Sequence, residues 1–417
     1  MTLLDDATHS MWLDAETRRL LDFGVASKDP RGGFGWLRDD GTRDGSRPVE
    51  LWISCRMTHV YALAEMMGFP GAAALVDHGI ASLAGSLRDA EHGGWFSAID
   101  ADGPANDAKE AYAHAFVILA TSSAVAAGHA DAMPLLHEAI AVHTEHFWDN
   151  AEGMARESFS RDWTTEEPYR GVNANMHTLE AYMAAADALA DAELLARALR
   201  IVTRVVDVFA RGNDWRLPEH FTSSWESLLE FNIDAPAHPF RPYGATIGHG
   251  IEWARLTLQA EGSLRNAGLD APAWMADAAA HLYDRAVSDG WDADGAPGFV
   301  YTVDWQGAPV VHERMHWVVA EAIGAAAVLY RRTGEDRFGD DYDRWWAYAR
   351  EFLIDPEGGS WWHELDQHNA PSSLVWQGKA DLYHAVQATL IPRLPIAPAL
   401  SSSLAAGNLA AGENARA

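Results

Sequence analysis

Apolar residues recur with a period of about 3.6 along most of this 417-residue chain, and alternating runs of β-branched residues are few. The spacing predicts helices at about 10–24, 48–68, 71–88, 107–127, 131–147, 172–190, 192–211, 244–262, 271–288, 312–333, 337–354 and 374–391. After every second helix the pattern breaks at a short segment rich in glycine and aromatics. These are Gly32-Gly-Phe-Gly-Trp36, Gly93-Gly-Trp-Phe96, Glu152-Gly-Met154, Asp289-Gly-Trp291 and Gly358-Gly-Ser-Trp-Trp362, with a weaker version at Leu217-Pro-Glu-His-Phe221. Each reads as a turn or short hairpin leading into the next helix.

The breaks recur every 60–70 residues or so and divide the chain into six helix–loop–helix units. Repetition on this scale signals a repeat architecture. Helices beginning near 48, 107, 172, 244, 312 and 374 carry polar and aromatic residues near their starts, whereas those near 71, 131, 192, 271 and 337 are plain amphipathic helices. That alternation fits an inner ring whose N-termini surround one cavity, covered by an outer ring. The expected fold is therefore all-α, an (α/α)6 barrel over residues 1–395. An Ala/Ser/Gly-rich segment at 396–417 reads as a flexible tail.

Composition narrows the function. Hydrophobic residues make up 48%, enough for a large core. Lys and Arg number 31 against 60 Asp and Glu, a net charge of −29 that repels nucleic acid and anionic membrane surfaces. Cys55 is the single cysteine, so no internal disulfide forms, and it reads as a buried small hydrophobe. With neither a basic, apolar leader nor a membrane-length apolar run, the expectation is a cytoplasmic protein; a homo-oligomer is compatible with the sequence. Eighteen tryptophans include some whose faces suit the C–H faces of sugars.

The helix starts supply the chemistry. Gly244-Ala-Thr-Ile-Gly-His-Gly-Ile-Glu-Trp253 puts His249 and Glu252 three residues apart on one helical face, a base and a group to orient it, with the flanking glycines leaving room for a ligand. Trp52 and Arg56 lie one turn apart in an apolar setting that calls for an oxygen-rich partner. Of Tyr112 and His114, which diverge on a helix, Tyr112 is the cavity candidate. Asn173 and His177 share a face, and an amide reads hydroxyls well. The next inner helix offers His312, His316 and Trp317; the last offers Trp376, Lys379, Asp381 and His384. His312-Glu-Arg-Met-His316 formally matches H-E-x-x-H, but it falls at a helix start with no third ligand downstream, so no metal is assigned.

Together, Trp-x-x-x-Arg, Asn-Ala-Asn-Met-His, Gly-His-x-x-Glu-Trp and the late Asp-Leu-Tyr-His resemble the N-acylglucosamine 2-epimerase superfamily over about residues 10–392. The resemblance is strongest to its aldose–ketose isomerase branch, bacterial mannose isomerases and their sulfoquinovose isomerase relatives. It implies an (α/α)6 barrel and cofactor-free, metal-independent sugar chemistry. It also implies His249 and His384 as catalytic residues, and Arg56, Tyr112, Asn173, His177, Glu252, Trp317 and Trp376 as substrate contacts.

The implied reaction interconverts D-mannose and D-fructose, or D-lyxose and D-xylulose, through ring opening and a cis-enediol. His384 would carry the proton between C2 and C1; His249, oriented by Glu252, would open the ring; Arg56 and His177 would bond O1 and O2 as charge develops. The sequence does not separate the two histidine roles. A sugar 2-epimerase uses the same residue types, and a sulfoquinovose isomerase would add a cationic pocket from Arg241 or Lys379. A glycoside hydrolase would want two carboxylates across the bond, for which Glu252, Glu313 and Asp381 are available, but the polar set is dominated by histidine and amide.

Overall fold

A computed structural model describes residues 2–409. In chain order the α-helices are α1 (Ala7–Gly24), α2 (Leu51–Met66), α3 (Ala72–Ala84), α4 (Ala111–Ala126), α5 (Ala132–Val142), α6 (Val172–Leu189), α7 (Ala192–Val202), α8 (Ile247–Asn266), α9 (Met275–Gly290), α10 (His316–Thr333), α11 (Asp336–Tyr348), α12 (Tyr383–Leu390) and α13 (Leu400–Ala405). The even-numbered helices from α2 to α12 pack in sequence and α12 returns to α2, which closes the inner ring. The odd-numbered helices from α1 to α11 cover it: α1 rests on α12, and each of the others rests on the inner helix before it. This is the expected (α/α)6 barrel.

The two rings differ in residue pattern for a physical reason. Inner helices are surrounded, so α2 is buried at every position from Leu51 to Ala64 and α4 from Ala113 to Ala124. Outer helices keep one wet face, so α7 buries Leu194, Leu195, Ala198, Ile201 and Val202 and leaves its charges outside. Three outer helices, α5, α7 and α11, run on as π-helical turns at His143–Phe147, Thr203–Ala210 and Ala349–Leu353, which accounts for their longer predicted ends.

The glycine-rich breaks build a belt around the mouth of the barrel. Each short strand entering an inner helix pairs antiparallel with the segment that precedes the next inner helix. Val49–Glu50 pairs with Ala98–Ile99, Lys109–Glu110 with Ser158–Phe159, Tyr169–Gly171 with His220–Thr222, Ala245–Thr246 with Thr302–Val303, and Arg314–Met315 with Glu364–Leu365. The sixth joint is made by the Lys379 N–H to the Leu37 carbonyl at 2.9 Å and the Trp36 indole N–H to the Gln377 carbonyl at 2.6 Å.

The belt also caps the inner helices. The first N–H of α2, α4, α6, α8 and α10 bonds the carbonyl of Ser97, Glu157, Glu219, Tyr301 and His363, at 2.8–3.2 Å. Helix starts satisfied by a neighbouring unit need no Ser, Thr or Asp cap, so the sequence carries no sharp start signal there. The expected starts at 107 and 312 accordingly fall four residues early: the helices begin at Ala111 and His316. The last inner helix, expected from 374, begins at Tyr383. The Leu374, Val375 and Trp376 N–H groups are held by the Glu364 carboxylate at 2.6–2.9 Å, which fixes this stretch as a loop.

The segment from 396 is packed further than a flexible tail would be. Helix α13 buries Ser401, Ser403 and Leu404 against α2, α4 and α6, at the end of the ring away from the belt, and the Ala399 N–H donates to Asp187 at 2.7 Å. The tail expected at 410–417 lies outside the described residues. Among the described residues, no helix is long and apolar enough to cross a membrane.

Candidate active site

A cavity opens where the inner-helix starts converge, with about 690 Å³ of empty space including its open mouth. All nine residues that the family resemblance implied for the site line it: Arg56, Tyr112, Asn173, His177, His249, Glu252, Trp317, Trp376 and His384. Loops add walls that periodicity does not reveal, notably Phe240, from the loop ahead of α8, and His363, from the loop ahead of α12.

Of the five histidines that line the cavity, two are each held at 2.9 Å by a buried carboxylate. His249 Nδ1 lies 2.9 Å from Glu219 Oε2, and His384 Nδ1 lies 2.9 Å from Glu321 Oε1. In each ring Nε2 is the nitrogen without a hydrogen-bond partner among the described residues, so an ionised carboxylate on Nδ1–H leaves a lone pair on Nε2. The Trp317 ring lies beside both, with centroids 5.4 Å from His249 and 5.7 Å from His384.

The expected pairing of His249 with Glu252 is therefore corrected. Glu252 turns away from the imidazole toward Arg255, 3.3 Å away, and Glu219 does the orienting. The glycines around His249 serve packing rather than leaving room for a ligand: a side chain at Gly248 would overlap the Trp317 ring, and Gly250 lies against α9 at Ala286. Glu219 lies in Leu217-Pro-Glu-His-Phe221, seen in the sequence only as a turn. Glu321 is a lone carboxylate in the apolar run Val318-Val-Ala-Glu-Ala-Ile-Gly324, and that interruption is the signal that could have found it.

Behind the cavity floor lies a charged cluster. Arg255 donates from Nε to Glu321 at 2.6 Å and from Nη2 to Glu252 at 3.3 Å. Glu180 faces His177 Nδ1 at 3.5 Å and accepts the Tyr383 hydroxyl. Burial, then the neighbouring Glu321, pushes Glu252 well above the usual carboxylate range; burial also raises Glu321, with Arg255 working against it. Burial, then Arg56, holds His384 well below its ordinary value, and burial brings His177 down to about 4. Donor atoms of Glu252, Glu321 and His384 lie within 4.8 Å of one another, and Arg255 already places a cation between the two carboxylates.

Arg56 is the one arginine in the cavity lining. It donates to Asp381 at 3.3 Å and to the Tyr112 hydroxyl at 3.0 Å, beneath the rings of Phe116 and Tyr383 at 4.5 and 4.7 Å. Burial raises the Tyr112 hydroxyl to about 12, so it stays protonated. Asn173 lines the cavity, while Asn175 is structural, bonding both backbone groups of Ala155. His114 is structural as well, accepting from the Trp95 N–H at 3.2 Å.

Other candidates fall away from the cavity. Lys379 lies in the loop before α12, fully buried against Asp355 at 2.5 Å and the Gly359 carbonyl at 2.7 Å. It is the counterpart of Lys109, which holds Asp89 in the corresponding turn of an earlier unit. Arg241 is clamped by both oxygens of Glu167 and stacks on Tyr169. Neither cation lines the cavity, so the sulfonate pocket considered from sequence is not built from them. His312 precedes α10 and pairs with Asp294 at 2.9 Å, whereas His316 faces the cavity and stacks on His363, so H-E-x-x-H is not one helical face. Trp376 and Asp381 belong to the loop before α12, not to the helix, although both reach the cavity.

A closed (α/α)6 ring whose mouth gathers carboxylate-held histidines and tryptophan faces defines a class of sugar-handling barrel. The chain belongs to the N-acylglucosamine 2-epimerase (GlcNAc 2-epimerase) family, matched over residues 32–388. It is 51% identical to a D-mannose isomerase of Thermobifida fusca, covering 96% of this chain and 98% of the relative. It is also 51% identical to a D-mannose isomerase of Pseudomonas cannabina pv. alisalensis, covering 96% and 97%. A crystal structure of a D-mannose isomerase superposes with a TM-score of 0.85 at 29% identity, covering 92% of this chain and 97% of that one.

Proposed function

We propose that the protein is an aldose–ketose isomerase that interconverts D-mannose and D-fructose. The reading is carried by one observation: a chain 51% identical to D-mannose isomerases over nearly its whole length brings two carboxylate-held histidines to one sugar-sized cavity. In this reading His249 moves a proton between O5 and O1 to open the ring. His384 takes the C2 proton on Nε2 and returns it to C1 on the same face of a cis-enediol, while the O2 hydroxyl proton passes to O1. Its low basicity, set by burial, keeps it neutral and ready as a base at ordinary pH.

The remaining lining residues bind. Arg56 faces the oxygens on which enediolate charge develops, a donor role worth about 3 kcal/mol in a dry site, and His177, kept neutral by burial, binds a sugar hydroxyl. Asn173 and Glu252 read hydroxyls, and Trp317 and Trp376 present ring faces. This reading calls for no metal, because the Arg56 guanidinium supplies the positive charge.

Proton NMR of D-mannose in D2O, with and without EDTA, tests this directly. Fructose is expected at the same rate in both samples. Glucose carrying deuterium at C2 without fructose would make the protein a 2-epimerase, and loss of turnover in EDTA would overturn the metal-free mechanism.

A further inference from the structure

Arg255 stands one turn beyond Glu252 on α8, only 1% exposed, and does not line the cavity. Its three nitrogens are all committed: Nε to Glu321 at 2.6 Å, Nη2 to Glu252 at 3.3 Å, and Nη1 to Gln259 at 2.8 Å. It uses one oxygen of Glu321, and His384 uses the other. The result is an ordered line of guanidinium, carboxylate and imidazole that ends at the cavity.

The line has a chemical consequence. Glu321 is buried beside two further carboxylates, Glu252 and Glu180. Without a cation, a carboxyl in such a place takes up a proton. A protonated Glu321 would donate to Nδ1 of His384 instead of accepting from it. The imidazole proton would then move to Nε2, and the nitrogen facing the substrate would have no lone pair.

We propose that Arg255 is a positioning residue for proton transfer: it keeps Glu321 an oriented acceptor, and so fixes His384 in the tautomer whose Nε2 is the base. The inference rests on the isomerase reading and on His384 as its base. No guanidinium bonds the other carboxylate, Glu219, whose Oε1 has no partner among the described residues, so the device belongs to one histidine only.

Other charges bear on His384, and the test must separate them from Arg255. Arg56 faces it from α2, His177 from α6 and His316 from α10, while Asp381, Tyr383 and His363 flank it from the loop and helix start. None of them bonds Glu321. Loss of Arg255 moves both affected groups the same way. Glu321 becomes easier to protonate, and whatever stays ionised holds the imidazolium more tightly, so the acid limb of the pH–rate profile rises.

The experiment compares full-length wild type, Arg255→Lys and Arg255→Met by steady-state kinetics on D-mannose across pH, with the His384 tautomer read by 15N NMR of the imidazole. In Arg255→Met, kcat is expected to fall about 100-fold with KM within about threefold. Its acid limb should move up by about one pH unit, and the ring proton should move to Nε2. Lysine keeps the charge but not the fork, so Arg255→Lys should be intermediate in all three readouts. Should the methionine variant fail to fold, the lysine variant carries the test. A folded variant with wild-type kcat overturns the proposal. So does a lower kcat with unmoved pH profile and tautomer, which would make Arg255 purely structural. If wild type makes glucose and no fructose, the isomerase reading fails while the tautomer measurement still decides the role of Arg255.

Discussion

The two walls of the cavity hold the same pair of groups in different ways. On one wall His249 leans on Glu219, a residue of the belt, whose second oxygen has no partner among the described residues. On the other, His384 leans on Glu321 from the middle of α10, and that carboxylate is shared with Arg255 and crowded by Glu252 and Glu180. A carboxylate with nothing else to satisfy stabilises an imidazolium strongly, whereas one already engaged by a guanidinium stabilises it less. The lesson is that a histidine–carboxylate pair acquires its role from what stands behind the carboxylate. Under the proposed isomerase reading, the His249 wall is the ring-opening side and the His384 wall carries the base.

Removing the imidazoles should produce the largest effects. His384→Ala is expected to lower kcat by about 10³- to 10⁴-fold, the upper range for general base catalysis, and to abolish exchange of the C2 proton with solvent. His249→Ala should cost about 10²- to 10³-fold, because sugar rings also open slowly unaided. Thermal melting should stay within a few degrees of wild type in both, since each ring borders a cavity. Equal losses, with C2 exchange retained in His384→Ala, would erase the distinction between the walls.

Glu219→Gln should have a smaller effect. The amide oxygen can still accept the Nδ1 proton, so orientation survives and only charge is lost. A roughly tenfold drop in kcat is expected, equal to about 1.4 kcal/mol. Because Glu219 stands alone, this loss should be the same in an Arg255→Lys background, and a double-mutant cycle checks it. Strong coupling between the two positions would mean that the walls work as one unit.

The histidines and the carboxylates behind them were not equally legible in the sequence. His249 and His384 could be found because they stand near helix starts, where a polar residue interrupts an apolar pattern. Their partners are 30 and 63 residues away in the chain, and ring closure alone brings them together. Helix α8 shows the limit of local reasoning. His249 and Glu252 do share a face, as their spacing requires, but Arg255 lies one turn beyond Glu252 and bonds its carboxylate at 3.3 Å. The belt was visible only as punctuation, because backbone pairing between units has no side-chain signature. Trp376 and Asp381 were placed in the right cavity on the wrong element, since one carboxylate, Glu364, converts the expected helix turns into a loop.

The smallest effect at ordinary assay pH concerns buried histidines whose hydrogen bonds go to hydroxyls and not to a carboxylate, and it sharpens the comparison from outside the cavity. His143 is fully buried between the Tyr182 hydroxyl at 3.0 Å and the Thr178 hydroxyl at 3.3 Å, and burial, then Arg197, lowers it to about 3. His59 bonds Ser123 at 2.7 Å and is lowered by burial to about 4. In the unfolded chain such groups titrate near 6.5. Below that value the unfolded state binds protons that the folded state refuses, so stability is fully present above about pH 6.5. It is lost as pH falls toward the folded values near 3 to 4. The melting temperature should therefore be flat above neutrality and fall steeply between about pH 6 and 4. His143→Gln keeps hydrogen-bonding capacity but cannot take a proton, so it should remove about one proton's share of that slope, about 1.4 kcal/mol per pH unit, and leave kcat at neutral pH unchanged. Calorimetric melts across pH check this, and an unaltered slope would show that His143 is not among the groups that limit acid stability. A histidine backed only by hydroxyls thus reports on folding, whereas one backed by a carboxylate and open to the cavity can exchange its proton with a sugar.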